Sequence, residues 1–231
     1  MFFRSIGWPK PRRLGVGLCV IGMLTGCGST SLYLGDDDSG PPREVAAVPD
    51  GHAQGAPTIG DDGLLVLDAG NSQVFEGQIN SDVGGNGTDC TFWWPDSGSF
   101  FCAKGTVAMN SSSQSWGGAS FNVNQSTAGG TTNTAQLSGT DVTVYYVNYA
   151  GSPLRLQVSI TGSDMNWYYP LNVDATSDTF PLSLLQTMSP AEGNGNYFDT
   201  NTPVSTIGLV VPGNPNNSTP FEFCFLGLTI Q

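Results

Sequence analysis

Beyond about residue 60, apolar residues recur at every second position in short runs, each bounded by clusters of Gly, Asn, Ser, Thr or Pro. "ASFNVNQ" sets Phe121 and Val123 on one side and Asn122 and Asn124 on the other. In "TDVTVYYVNY", Val142, Val144 and Tyr146 share a face. "SPLRLQVSI" turns Leu154, Leu156, Val158 and Ile160 inward and Arg155, Gln157 and Ser159 outward. The runs "LLVLD", "GTVAM", "TIGLVV" and "FEFCFLGLTI" continue the series. A period of two is that of an extended chain with one buried face, and no window keeps the i, i+3, i+4 stripe of a substantial helix. "SLLQTM" has room for one helical turn, although "TFPLSLLQTM" reads equally as a strand and loop. Self-similarity at a fixed period, the mark of propellers and solenoids, is not found. The pattern predicts an all-β domain, an antiparallel β-sandwich, over residues 61–231.

The first residues follow another pattern. "MFFRSIGWPKPRRLGVGLCVIGMLTGC" carries four cations, Arg4, Lys10, Arg12 and Arg13, ahead of an apolar stretch too short to span a bilayer comfortably. Residues 1–26 are therefore expected to be an export signal. Its end, Leu24-Thr25-Gly26-Cys27, resembles the bacterial lipobox, which implies cleavage before Cys27 and lipidation of its thiol. Each buried methylene of such a lipid contributes ~0.8 kcal/mol, so several acyl chains anchor a protein without a membrane-spanning helix. Gly28, rather than an aspartate, follows the cysteine and implies the outer membrane as the destination of a lipid-anchored, exported protein. An ordinary signal peptide and an uncleaved membrane helix are the alternatives. Residues 27–60 are rich in Gly, Pro, Asp and Ser without periodicity. They hold too little apolar surface to offset backbone ordering and are expected to be a tether.

Charge narrows the partners. The chain carries 7 Lys and Arg against 19 Asp and Glu. Loss of the leader's four cations would leave three, Arg43, Lys104 and Arg155, against all nineteen acids, a net charge of −16. A surface of that sign repels phosphate backbones and excludes nucleic acid as an expected partner.

Much catalytic chemistry is absent. His52, the only histidine, lies in the tether, so a Ser-His-Asp or Cys-His system has no base and an imidazole-ligated metal has no ligand. G-x-S-x-G, G-x-G-x-x-G and the phosphate-loop signature do not occur. Asp96, Asp164, Asp174 and Glu222 are the candidates for a two-carboxylate glycosidase, yet acidic residues here sit mostly among turn-forming neighbours, where a solvated role is the plainer one. The domain is expected not to be an enzyme. Its three cysteines, Cys90, Cys102 and Cys224, allow one disulfide in an exported protein. Cys90 with Cys102, or Cys102 with Cys224, are both open.

Aromatics gather in "TFWWPD", "SWGG" and "MNWYYP". Adjacent strand residues point to opposite faces, so Trp93 and Trp94 are not both core, nor are Trp167 and Tyr168. An outward aromatic beside amides suits a sugar, whose C–H face stacks on the ring while amides bond its hydroxyls. Plugging the ends of the sandwich is the plainer alternative.

The segments "CAKGTVA", "WGGASFNVNQ", "GSPLRLQVS", "GLVVPGN" and "PFEFCFLGLTI" together resemble successive strands of galactose-binding-like jelly-roll domains, relatives of modules that accompany polysaccharide-degrading enzymes. The resemblance runs from about Leu64 to Ile230. It implies a carbohydrate-binding jelly roll in which Trp167 and Tyr168 form a stacking platform and Arg155, Gln157, Asn122 and Asn124 bond the ligand. "LVLDAG" matches the opening strand that supplies acidic ligands to a structural calcium in that family, with Asp68 at the matching position. The closing strand departs from the pattern, with Leu226 and Gly227 where an Asp pair is usual, so expected calcium ligands are missing. No other cofactor is implied.

The expectation is thus a lipid-anchored jelly-roll domain that binds a polysaccharide or glycan without transforming it, with affinity for single sugars of roughly 10⁻³ to 10⁻⁵ M. A structural or adhesive spacer with buried aromatics is the second reading, and a glycan hydrolase or lyase the third. An outward aromatic and amide patch separates the first from the second, and paired carboxylates in a groove mark the third.

Overall fold

A computed structural model of the chain describes residues 55–59, 64–94, 100–109, 115–127, 129–160, 165–187 and 195–231. The predicted leader, the acylation candidate Cys27 and most of the predicted tether lie outside them, as do Asp96 and Asp164.

Two five-stranded antiparallel sheets face each other. The first holds β4 (Ile79–Gly84), β7 (Trp116–Asn122), β10 (Leu154–Ser159), β11 (Asn166–Leu171) and β14 (Thr206–Pro212), in the order β11-β10-β14-β7-β4. The second holds β5 (Asp89–Trp93), β6 (Phe101–Val107), β9 (Asp141–Asn148), β12 (Ser177–Pro181) and β15 (Thr219–Ile230), in the order β12-β9-β15-β6-β5. Successive strands keep crossing between layers, the jelly-roll form of the β-sandwich that the alternating pattern predicts. A small sheet of β1 (Pro57–Ile59), β2 (Leu65–Gly70) and β3 (Gln73–Gly77), and the pair β8 (Ala135–Gln136) with β13 (Pro203–Val204), complete the described elements. "TFPLSLLQTM" combines both of its readings: β12 runs directly into a 3-10 turn, Leu182–Leu184.

The core lies between the inner faces. Leu154, Leu156 and Val158 of β10 are buried there, as are Val142, Val144 and Tyr146 of β9. Phe225 joins the layers, with its ring 5.1 Å from Phe101 in its own sheet and 5.9 Å from Phe121 in the opposite one. Stacking and edge contacts at such distances add to the burial of each ring.

Strand β15 runs through the middle of its sheet and carries a bulge between Phe225 and Gly227. Gly55, at a φ of +78°, comes down on the bulge, and Leu228 N–H donates to its carbonyl at 2.9 Å. A Cβ at position 227 would stand 2.3 Å from that same oxygen, so only glycine admits the approach. Ahead of residue 61, β1 pairs with β2 from Pro57 to Ile59.

Register also decides the disulfide. Cys102 on β6 and Cys224 on β15 stand directly opposite, 3.9 Å apart at Cα, and are bonded. Among the described residues, Cys90 is the free thiol.

Candidate functional site

Alternation divides the first sheet into two faces, and register arranges the outward one in rows. One row reads Pro170, Arg155, Val210, Gly118, Asp82, and the next Tyr168, Gln157, Gly208, Ser120, Asn80. Below them stand Asn166, Ser159, Thr206 and Asn122; above them Pro212, Trp116 and Gly84. Gly208, Gly118 and Ser120 keep the middle of β14 and β7 low, between Arg155 and Gln157 on β10 and Asp82 and Asn80 on β4.

Gln157 lies at the centre of this face. Its Nε2 donates to Asp82 Oδ2 at 3.1 Å, across the two intervening strands β14 and β7. Three strand spacings are roughly 14 Å, more than the two side chains span end to end, so the sheet must curl inward here. The contact itself reports a concave face. The absence of side chains at Gly208 and Gly118 leaves the path open.

Asp82 also accepts from Trp116 Nε1 at 3.0 Å through its other oxygen. The indole lies flat against β4, where a Cβ on Gly84 would meet the ring at 2.5 Å. With both carboxylate oxygens receiving protons, Gln157 is obliged to present its amide nitrogen to Asp82, because a carboxylate only accepts. That fixes the other end of the amide. Gln157 Oε1 is buried and has no hydrogen-bond partner among the described residues, in a side chain only 6 % exposed.

Tyr168 stands beside Gln157 in register. Burial raises its phenol to about 12, the charge of Asp82 adds to the rise and Arg155 opposes it. At neutral pH the phenol is a protonated donor. Arg155 is partly buried in the same neighbourhood; burial draws its pKa down and Tyr168 counters this. Tyr168 and Trp116 thus border the groove from opposite edges, with Gln157, Asp82 and Arg155 between them.

The structure brings Tyr168, Arg155 and Gln157 together as the sequence suggested, and separates the other residues expected with them. Trp167 is corrected: it points into the sandwich, 4 % exposed, with its ring edge-on to Phe198 at 5.3 Å. One step along a strand reverses the face, so Trp167 is core because Tyr168 is not. Asn122 shares the outward face but is buried at its lower end, donating to Gln125 Oε1 at 2.8 Å. Asn124 lies beyond β7 and donates to Thr134 O at 3.1 Å, holding a loop. Both amides are spent on local structure.

Asp82 and Trp116 are the residues that sequence reasoning left out of the site. "INSDVGGNGTD" looks like a turn, since the positions alternating with Asp82 form a weak apolar series, of which Ile79 is buried while Ser81 and Val83 are exposed. Trp116 was visible as an aromatic in "SWGG", but nothing local linked it to an acid 34 positions earlier.

Asp68, the residue matched to a structural calcium ligand, has Oδ1 accepting from Gly70 N at 3.0 Å in an Asx-type turn, and among the described residues no group of three His, Cys, Asp or Glu stands together. Of the four carboxylates weighed for hydrolysis, Glu222 is on β15 opposite Lys104 in the other sheet, and Asp174 is in the turn after β11 with its backbone N–H donating to Asn172 Oδ1. Burial is the largest influence raising the Cys90 thiol to about 11, and its Sγ donates to the Gly118 carbonyl at 2.9 Å, behind the groove floor.

No protein-family model and no curated protein matches the chain. Among solved structures it is similar to a family 11 carbohydrate-binding module from Clostridium thermocellum, in complex with a beta-1,3-1,4-mixed-linked tetrasaccharide. That match has a TM-score of 0.44 and 14% identity, covering 72% of this chain and 96% of the other. The family 11 module of a cellulosomal cellulase of the same organism aligns with a TM-score of 0.40 and 12% identity, over 73% of this chain and 96% of that one.

Proposed function

We propose that the concave outer face of the first sheet binds a glycan chain without transforming it, and that the protein is held at the outer membrane through a lipid on Cys27. The observation that carries the binding reading is the buried, unpartnered Oε1 of Gln157. Leaving such an acceptor unsatisfied costs about 1–3 kcal/mol, and nearly all buried polar groups find a partner in protein, water or ligand. A sugar hydroxyl is a suitable donor. Tyr168, the neighbour of Gln157 in register on β11, offers a ring for the sugar's C–H face. Trp116 offers a second apolar surface at the far edge. No pair of carboxylates shares this groove among the described residues, which favours holding a glycan over cutting it.

The test is a glycan array with the full chain in detergent, comparing wild type with Tyr168→Ala, Gln157→Ala and Trp167→Ala. Loss of one stacking ring should weaken binding about 3- to 10-fold in Tyr168→Ala without lowering the melting temperature appreciably. Trp167→Ala should act first on stability. A folded wild-type chain that binds nothing on the array would remove this reading in favour of a structural spacer. Anchoring is tested separately by metabolic labelling with a fatty-acid analogue. Labelling should vanish in Cys27→Ser, and labelling that survives would refute the anchor.

A further inference from the structure

We infer that the glycan is acidic: the groove is built to take a sugar carboxylate on Arg155 while an adjacent hydroxyl donates to Gln157 Oε1. This rests on the glycan-binding reading above and specifies its ligand. Arg155 is a partly buried guanidinium that makes no hydrogen bond and no ion pair with any described residue. A desolvated cation without a partner is costly, and a bidentate carboxylate is the acceptor that matches its planar fork.

The one acid in reach within the sheet is withheld from it. Asp82 shares a row with Arg155, yet its two oxygens are engaged by Trp116 and Gln157. Arg155 instead stands against Tyr168, whose phenol is held protonated by burial and by the Asp82 charge. Val210, the neighbour of Arg155 in register on β14, is 2 % exposed, so the cation stands beside a buried apolar residue. The arginine head group faces Tyr168 and no carboxylate is bonded to it among the described residues.

The complementarity extends to the neighbouring atom. A uronic acid presents a carboxylate and hydroxyls on the same ring, and Arg155 and Gln157 are two residues apart on one strand face, about 7 Å along the backbone. One strand therefore offers a cationic fork and a neutral acceptor at the spacing of one sugar unit. The domain's net negative charge disfavours a polyanion at long range, but screening beyond about 8 Å at physiological ionic strength leaves the choice to the contact with Arg155. A neutral glycan would satisfy Gln157 equally well but would leave the guanidinium with hydroxyls only.

The experiment uses oligomers of galacturonate, glucuronate and mannuronate together with the same oligomers after carboxyl reduction to neutral sugars. Binding to the full chain is measured by titration calorimetry for wild type, Arg155→Gln and Arg155→Lys. At least one acidic oligomer should bind about 10- to 100-fold more tightly than its reduced counterpart, the range of a charge-assisted hydrogen bond. Arg155→Gln should abolish that preference, bringing the affinity for the acidic oligomer down to that for its reduced counterpart, and Arg155→Lys should restore only part of it, since the charge returns without the fork. Equal affinity for acidic and reduced oligomers, or a preference that survives Arg155→Gln, would overturn the acidic assignment alone. Failure of every acidic and neutral oligomer to bind a folded wild-type chain would overturn the glycan reading with it.

Discussion

Removing the carboxylate of Asp82 tests whether the groove is organised as described. In Asp82→Ala, Gln157 Nε2 loses its acceptor and becomes a second unsatisfied atom on a side chain that is 6 % exposed, while the Trp116 indole loses its 3.0 Å partner. A hydrogen bond to a charged acceptor contributes about 1.5–3 kcal/mol, and the Trp116 bond, nearer solvent, contributes less. The expected loss is about 2–3 kcal/mol. For a domain of this size each kcal/mol lowers the melting temperature by roughly 2–4 °C, giving a decrease on the order of 5–10 °C.

Asp82→Asn should behave differently. The asparagine oxygen can still accept from Trp116, and if the Gln157 amide turns over, its Oε1 accepts from the asparagine Nδ2. One bond is kept and the other is reformed with reversed polarity, so the loss should be about 0.5–1 kcal/mol, without the charge assistance. The assay is urea unfolding followed by tryptophan fluorescence, with unchanged m-values as the check that the same unfolding is measured. Adding Gln157→Leu to Asp82→Ala should recover part of the loss, because both ends of the interaction are then apolar. Equal destabilisation by Asp82→Ala and Asp82→Asn, or an Asp82→Ala variant within about 0.5 kcal/mol of wild type, would refute the account of the carboxylate as the group that fixes the amide.

Two further predictions concern titration and thiols. Burial raises the phenols of Tyr146, Tyr149 and Tyr168 to about 12 against an unfolded value near 10. A phenol that holds its proton more tightly when folded contributes stability below pH 10 and loses it as pH rises from 10 through 12. Absorbance at 295 nm should therefore show a late, unfolding-coupled group of tyrosines, and complete ionisation near pH 10 with the fold intact would contradict it. Non-reducing peptide mapping should find Cys102 linked to Cys224, and iodoacetamide at pH 8 should label Cys90 only after denaturation, because the thiol is held near 11. A Cys90–Cys102 peptide, or rapid labelling of the native chain, would count against the register of β5, β6 and β15.

How much of this was legible beforehand differs from residue to residue. Leu154, Leu156 and Val158 inward with Arg155 and Gln157 outward follows from alternation alone, and so does the rule that Trp167 and Tyr168 take opposite faces. Choosing which of that pair is core does not: it depends on where β11 sits at the sheet edge and on Phe198, which meets Trp167 from 31 positions further along. Asn122 is outward as its alternation says, but the partner that occupies its amide, Gln125, comes from the loop that follows β7.

The sequence by itself determined the element type, the inward and outward sides of each strong strand, and the shortage of catalytic chemistry, because those depend on nearest neighbours and on composition. Only the tertiary structure decided which strands lie side by side. Gln157 meets Asp82 across 75 positions and Cys102 meets Cys224 across 122. Strand pairing is a long-range choice, set by which arrangement buries all the apolar faces at once and by the entropy of closing the loops between them. No local window records that choice, and the groove exists only after it is made.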